Sequence, residues 1–324
     1  MKYRTLGRTG LRVSDIGFGA WGIGGRTAGT TSYGDTDDRI SLAALDRARE
    51  RGITFFDTSS AYGDGHSEEL IGQAFERYRP SVVIATKAGY DSWNRAPDFS
   101  SAAIVASVER SLARLRTDYI DLLQLHNAPL EAVRTGGLRE ALAGLEAVGK
   151  IRAWGFSAKS PAEAIAAVTE LDAPVVQANF NMMDVRAVES GLMEAVERCR
   201  AGLIGRTPLC FGFLSGTITL DTVFPPGDHR LGWPPAQLAN WIGGARELLA
   251  AVGSDPGASG AQSALRFCLA FPAVSTVIPG ILTPAEADAN AAASALGPLP
   301  EAAVRAVLEI NRRRQFFVRP ASAA

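Results

Sequence analysis

Residues 119–126 read YIDLLQLH, and ITFFDT at 53–58 and VVIATK at 82–87 share its plan, a short apolar stretch closed by polar residues. Runs of this length and composition suit strands buried on both faces of a parallel sheet. Further runs of the kind stand at 15–20 (DIGFGA), 151–157 (IRAWGFS), 175–180 (VVQANF), 202–209 (GLIGRTPL) and 273–279 (AVSTVIP), eight in all. Helix-like segments alternate with them, striped by Ile104, Val108, Leu112 and Leu115 in one and by Leu138, Leu142, Leu145 and Val148 in another. Eight strand–helix units without a break in composition predict an α/β fold, a parallel (β/α)8 or TIM barrel, with residues 1–324 forming a single domain. The alternative is an open doubly wound sheet.

The chain has 324 residues, 47% of them apolar, enough for a large core. Thirty-three basic against 34 acidic residues leave a formal charge of −1, without the basic surplus that a nucleic-acid partner demands. No stretch approaches the roughly 20 apolar residues of a membrane span, and the N-terminus lacks the apolar core of a signal peptide. A cytoplasmic protein with neither nucleic-acid nor membrane partner is expected. Cys199, Cys210 and Cys268 are too widely spaced for a disulfide framework or a zinc knuckle and read as small buried hydrophobes, so no metal site is expected.

Ser160-Pro161-Ala162-Glu163 and Thr283-Pro284-Ala285-Glu286 each combine a capping hydroxyl, a proline at the first helical position and a glutamate three residues after the cap. Both predict helix starts. The first 14 residues read as a hairpin that closes the N-terminal end of the barrel. The Gly- and Pro-rich stretch 213–240 is too long for a plain connector and reads as a functional loop over the active face. The tail RRRQFFVRPASAA either wraps the barrel or is partly disordered.

Asp57, Tyr62, Lys87 and His126 lie at or just beyond the ends of successive strand runs. In a closed barrel those ends share the face where active sites of such barrels form, so the four can converge. They suit carbonyl reduction, in which negative charge builds on the carbonyl oxygen and a donor must deliver a proton there. Tyr62 can be that acid. A phenol, with an ordinary pKa near 10, needs a neighbouring cation to stabilise its phenolate. Lys87 can supply the cation, Asp57 can hold the lysine, and His126 can hydrogen-bond the substrate oxygen.

These motifs together resemble the aldo-keto reductase family. GFGAWGIGG, FDTSSAYG with SEELIGQAF, ATK, DLLQLH, GFS, QANFN, RTPL with GFLSG, and IPG occur in the family's order over nearly the whole chain. The resemblance maps the family's tetrad onto Asp57, Tyr62, Lys87 and His126. It implies a barrel that binds an extended nicotinamide dinucleotide without a Rossmann domain. It further implies that Ser157 and Gln177 hydrogen-bond the nicotinamide carboxamide, with Ala158 standing where many members carry asparagine. Arg206 matches a site usually held by a stacking aromatic, and a guanidinium plane can stack too. Leu209, Gly212, Leu214 and Gly216 match the segment along the pyrophosphate, where small residues admit backbone N–H groups. Gly280, Glu286 and Asn290 match cofactor-binding positions after the IP motif and on the following helix, Glu286 near the adenosine ribose.

Family members selective for the phosphorylated cofactor usually place Lys or Arg in that last segment, where this chain has Gly280, Leu282 and Glu286. The missing cations favour NAD(H), and Glu286 could accept from ribose hydroxyls, although it also completes the capping box of Thr283. Since the family as a whole prefers NADPH, NADP(H) stays slightly ahead of NAD(H). Gly17-Phe18-Gly19-Ala20-Trp21-Gly22 satisfies GxGxxG, but a loop follows it instead of a helix, so it is no dinucleotide fingerprint. That loop brings Trp21 toward the substrate pocket, with Trp93 and Trp233 as further pocket candidates. The resemblance implies an NAD(P)(H)-dependent oxidoreductase acting on an aldehyde, ketone or sugar lactol. The alternatives are a cofactor-sensing regulatory subunit, as in the family's potassium-channel β-subunits, and a barrel enzyme that uses bound nicotinamide for epimerisation or dehydration.

Overall fold

The computed structural model describes residues 1–27, 32–135, 137–253 and 257–318. Its strands are β1 (Tyr3–Thr5), β2 (Arg12–Ser14), β3 (Phe18–Gly19), β4 (Phe55–Asp57), β5 (Val83–Ala88), β6 (Ile120–His126), β7 (Ile151–Ser157), β8 (Val175–Asn179), β9 (Gly202–Arg206) and β10 (Val274–Ile278). Among the described residues β3 to β10 form one eight-stranded sheet in sequential order, every neighbouring pair parallel. The chain segments of β3 and β10 meet to close it: Gly17 N–H donates to Val277 O at 2.8 Å, Gly19 N–H to Pro279 O at 2.8 Å, and Val277 N–H to Asp15 O at 3.1 Å. The seam needs glycine, because a Cβ on Gly19 would come within 2.8 Å of the Ile278 carbonyl oxygen. The result is the expected barrel, with helices outside it.

β1 and β2 pair antiparallel, and their turn sets Leu6 and Val13 against Phe55, Ala85, Leu122, Ala153, Val175, Ile204 and Ile278. All of these barrel residues but Ile278, which ends β10, lie within the first three residues of their strands, so the hairpin plugs the N-terminal end of the barrel. Side chains alternate in and out along a strand, so the inward positions two residues on form the next layer. Asp57, Lys87, Gln124 and Gln177 occupy it, all nearly or wholly buried. The chemistry therefore stands directly on an apolar floor.

Local boundaries differ from the sequence reading in physically clear ways. The run 202–209 stops being strand at Arg206, because Thr207 takes a left-handed φ of 52°. The stripe Leu138, Leu142 and Leu145 is buried, but the helix ends at Ala147, leaving Val148 at its C-cap 69% exposed. In the 213–240 stretch the last residues are already helix, which starts at Pro235 and runs to Val252. Both sequence-read caps form; Thr283 makes the full reciprocal box, whereas Glu163 reaches past Ser160 to the N–H of Lys159 at 2.8 Å. Cys210 and Cys268 are buried, with thiols pushed up by burial, while Cys199 is only partly covered. The tail docks on the helix Pro235–Val252, where Gln237 donates to Phe316 O at 2.8 Å and accepts from Val318 N–H at 2.7 Å; residues 319–324 lie outside the described residues. No helix among the described residues is long and apolar enough to cross a membrane.

Candidate active site

Asp57 ends β4, Lys87 lies one residue before the end of β5, and His126 ends β6. Tyr62 follows β4 at the start of a turn, Tyr62–Gly65, in which Gly63 and Asp64 take left-handed φ values of 62° and 53°, and its N–H donates to Ser59 O at 3.0 Å. Lys87 Nζ is wholly buried and donates to Asp57 Oδ1 at 2.5 Å, Thr58 O at 2.8 Å and the Tyr62 hydroxyl at 3.1 Å. Three acceptors at these distances use all three ammonium protons. Burial pushes the Lys87 ammonium down, but the charges and hydrogen bonds of Asp57 and Tyr62 outweigh it, so its pKa is raised and the side chain stays cationic. The four sequence-chosen residues are thus together, the His126 ring lying edge-on to that of Tyr62 with centroids 6.1 Å apart.

Sequence reasoning passed over two residues that complete this arrangement. Gln124 Nε2 and Gln177 Nε2 each donate to Asp57 Oδ2 at 2.8 Å, and Gln177 Nε2 also donates to Gln124 Oε1 at 2.9 Å. Asp57 is therefore held by a cation on one oxygen and two amides on the other. Gln124 could have been found from periodicity alone, since it precedes His126 by two positions on β6 and so faces inward with it. The second is Ser59, whose Oγ lies 3.1 Å from His126 Nδ1. Burial, with the nearby Lys87 and Arg206 charges, holds His126 well below its ordinary pKa, and the imidazole is neutral.

Arg206 closes the next side. Its Nε donates to Asn179 Oδ1 at 2.8 Å, one terminal nitrogen to Ser157 Oγ at 2.8 Å and the other to Ala158 O at 2.7 Å. Burial lowers the guanidinium pKa from its ordinary value, opposed by the charges of Tyr62 and Asp57. Three bonds from one planar guanidinium make Arg206 a fixed platform beside Ser157. Beyond it, Cys210, Phe211 and Gly212 take successive φ values of 44°, 56° and 93°, and Gly216 takes 78°. The turn is closed on itself: Cys210 N–H donates to Thr207 O at 2.9 Å, Gly212 N–H to Leu209 O at 3.0 Å and Leu214 N–H to Leu209 O at 3.1 Å.

Farther along, a Cβ on Gly280 would meet open space, and the Asn290 side chain is 3% exposed yet makes no hydrogen bond among the described residues. An amide without a protein partner at Asn290 and Ser157 with Arg206 at the other end fit the two ends of an extended dinucleotide. Glu286 is already employed: its Oε2 accepts from Leu282 N–H at 2.6 Å and Thr283 N–H at 3.1 Å.

Of the tryptophans, Trp93 stands against His126, centroids 5.2 Å apart, with Tyr90 at 5.4 Å from the same imidazole. Trp21 and Trp233 instead meet around His229, at 4.8 Å and 4.9 Å. They belong to the suture between two loops on the active face, where Tyr33 bridges Asp228 and His229 N–H donates to Ser32 O at 2.9 Å. Residues 28–31 of the first loop lie outside the described residues; no α-helix follows the GxGxxG match until Asp38 among those described.

The chain was compared with known proteins. The model of the Aldo/keto reductase family matches residues 15–312. Aldo-keto reductase YhdN of Bacillus subtilis is 37% identical, over 78% of this chain and 74% of its own length. The NADH-specific methylglyoxal reductase of Escherichia coli is 35% identical over 71% of this chain and 73% of its own length. Among solved structures, the glycerol dehydrogenase AKR11B4 from Gluconobacter oxydans superposes with a TM-score of 0.80 at 27% identity, each chain covered to 99%.

Proposed function

This chain belongs to the aldo/keto reductase family, an NAD(P)-dependent oxidoreductase by kinship, and from that premise we propose that it interconverts an aldehyde, ketone or sugar lactol with its alcohol or lactone, Tyr62 being the acid and base. The observation that carries this reading is the buried Lys87 ammonium shared between Asp57 and the Tyr62 hydroxyl, next to a neutral His126.

A bound nicotinamide dinucleotide supplies or accepts the hydride at the substrate carbon. Tyr62 delivers its phenol proton to the carbonyl oxygen in reduction and takes it back in oxidation. Lys87, 3.1 Å from that hydroxyl, stabilises the phenolate left behind. Asp57 keeps the ammonium in place, and the amides of Gln124 and Gln177 keep Asp57 from turning away. His126 orients the substrate oxygen, and Tyr90 and Trp93 pack beside it and keep water from the reacting centre. Ser157, Gln177 and Arg206 hold the nicotinamide end, Leu209, Gly212, Leu214 and Gly216 the pyrophosphate, and Gly280, Glu286 and Asn290 the adenosine, with Trp21 and Trp233 on the loops above. NADP(H) remains slightly ahead of NAD(H), on the family's general preference and against the lack of a cation at Gly280, Leu282 or Glu286.

The test is direct. Protein mixed with NADPH and a reactive aromatic aldehyde should consume the cofactor, and Tyr62→Phe should lower kcat at least about a hundredfold with the cofactor Kd nearly unchanged, because a proton donor is lost and little binding surface. Full activity in Tyr62→Phe would remove Tyr62 from the mechanism.

A further inference from the structure

The side chain of Ser59 is wholly buried and has two neighbours within hydrogen-bond reach among the described residues: Ala61 N–H at 3.2 Å and His126 Nδ1 at 3.1 Å. Ala61 N–H is a donor only, so Ser59 Oγ is its acceptor. The Ser59 hydroxyl carries one proton of its own, and with the side chain wholly buried and no other acceptor in reach among the described residues that proton has a single destination, the lone pair of His126 Nδ1. Were Nδ1 the protonated nitrogen, Ser59 Oγ would accept twice and its own proton would be buried without a partner, an arrangement that folded proteins avoid. We propose that Ser59 is a positioning residue that fixes the tautomer of His126, holding its proton on Nε2, where it can be donated to the substrate's carbonyl oxygen.

The surroundings agree with this assignment. His126 is neutral, so it carries one ring proton and the choice of nitrogen matters. Nε2 makes no hydrogen bond among the described residues and is left for a ligand. Ser59 is placed by its own loop: the turn after β4 that carries Tyr62 is built on the Ser59 carbonyl, which accepts Tyr62 N–H at 3.0 Å. One residue thus sets the backbone of the proton donor and the tautomer of the orienting imidazole. A hydroxyl donating to Nδ1 also competes with protonation there, which adds to the reasons for the ring's neutrality. The consequence for catalysis rests on the role proposed above for His126; the tautomer itself does not.

The experiment reads the tautomer in the protein without cofactor. The chain holds three histidines, His66, His126 and His229, so the ring nitrogens of 15N-histidine-labelled protein are assigned by His126→Asn. The expected spectrum shows a single neutral tautomer with the proton on Nε2 and a hydrogen-bonded Nδ1. In Ser59→Ala the Nδ1 resonance moves toward that of an unbonded imine nitrogen, and kcat/KM falls about tenfold with the cofactor Kd unchanged. Ser59→Cys, a weaker donor of similar size, lies between the two in both readouts and serves in place of Ser59→Ala should that variant not fold. A wild-type spectrum with the proton on Nδ1 overturns the proposal, as does a Ser59→Ala spectrum that superposes on wild type. If His126→Asn leaves kcat/KM within twofold of wild type, the role of His126 in orienting the substrate fails, and the tautomer assignment is judged by the spectrum alone.

Discussion

Replacing Lys87 by methionine keeps most of the volume of the side chain and removes its charge with the three hydrogen bonds of its ammonium. In the folded protein that charge lies 3.1 Å from the Tyr62 hydroxyl and 2.5 Å from Asp57 Oδ1. At an effective dielectric of about 20, an ammonium and a full phenolate at the first distance attract by about 5 kcal/mol. With a tenfold rate change per ~1.4 kcal/mol, that sets a ceiling near four decades, and a transition state with half the charge developed loses about two. Lys87→Met should therefore lower kcat between about 100- and 10,000-fold, with the loss in kcat/KM matching it. The same substitution strands Asp57 as a buried, unpaired carboxylate, which costs about 3–5 kcal/mol of stability and lowers Tm by about 5–10 °C. Asp57→Asn added to Lys87→Met removes the stranded charge, so the double variant should regain most of the lost Tm and none of the activity. Cofactor oxidation followed by absorbance, with thermal melts on the same samples, measures both. Activity of Lys87→Met within tenfold of wild type, or activity that returns with Asp57→Asn, would refute the assignment of phenolate stabilisation to Lys87.

Gln124→Met keeps packing but takes one amide from Asp57 Oδ2 and the acceptor from Gln177, so both kcat and cofactor affinity should fall, each about threefold to tenfold; unchanged values would make Gln124 mere filling. Arg206→Ala should weaken cofactor binding by about 1–2 kcal/mol, the range of a desolvated cation over a ring, read by fluorescence titration. An unaltered titration would leave Arg206 as a brace between β7 and β9. Glu286→Arg should move the kcat/KM ratio toward NADP(H) by at least tenfold, about 1.4 kcal/mol, and should also cost about 1 kcal/mol of stability through the lost cap. Glu286→Gln, which can still accept from Leu282 and Thr283, should keep the stability; a cofactor ratio unmoved in both variants would show that Glu286 serves the helix alone.

Several features were legible in the chain itself because they depend on neighbours in sequence. Apolar runs of strand length at regular spacing pointed to eight parallel strands, with a barrel ahead of an open sheet, and the polar residues closing three of them picked out Asp57, Lys87 and His126. The helix caps at Ser160 and Thr283 are local in the same sense, set by side chains that bond backbone three or four residues away. Resemblance to the family added Ser157, Arg206 and Asn290, whose types alone say little.

The tertiary structure decided what depends on residues far apart in the chain. Asp57, Gln124 and Gln177 sit on β4, β6 and β8, and their amide–carboxylate contacts cross the barrel interior, so they exist only once β3 and β10 have met and the register is set. Periodicity can turn Gln124 inward; it cannot say which inward neighbour its amide reaches. Ser59 reads in sequence as one hydroxyl in the turn SSA, and only the 3.1 Å to His126 Nδ1 gives it chemistry. Glu286 shows the converse, a local bond that the fold leaves intact, its carboxylate engaged by two backbone amides. Of the three tryptophans read as pocket candidates, Trp21 and Trp233 pack on His229 and Trp93 packs on His126, partners that are settled by where the loops end in space and not by their composition.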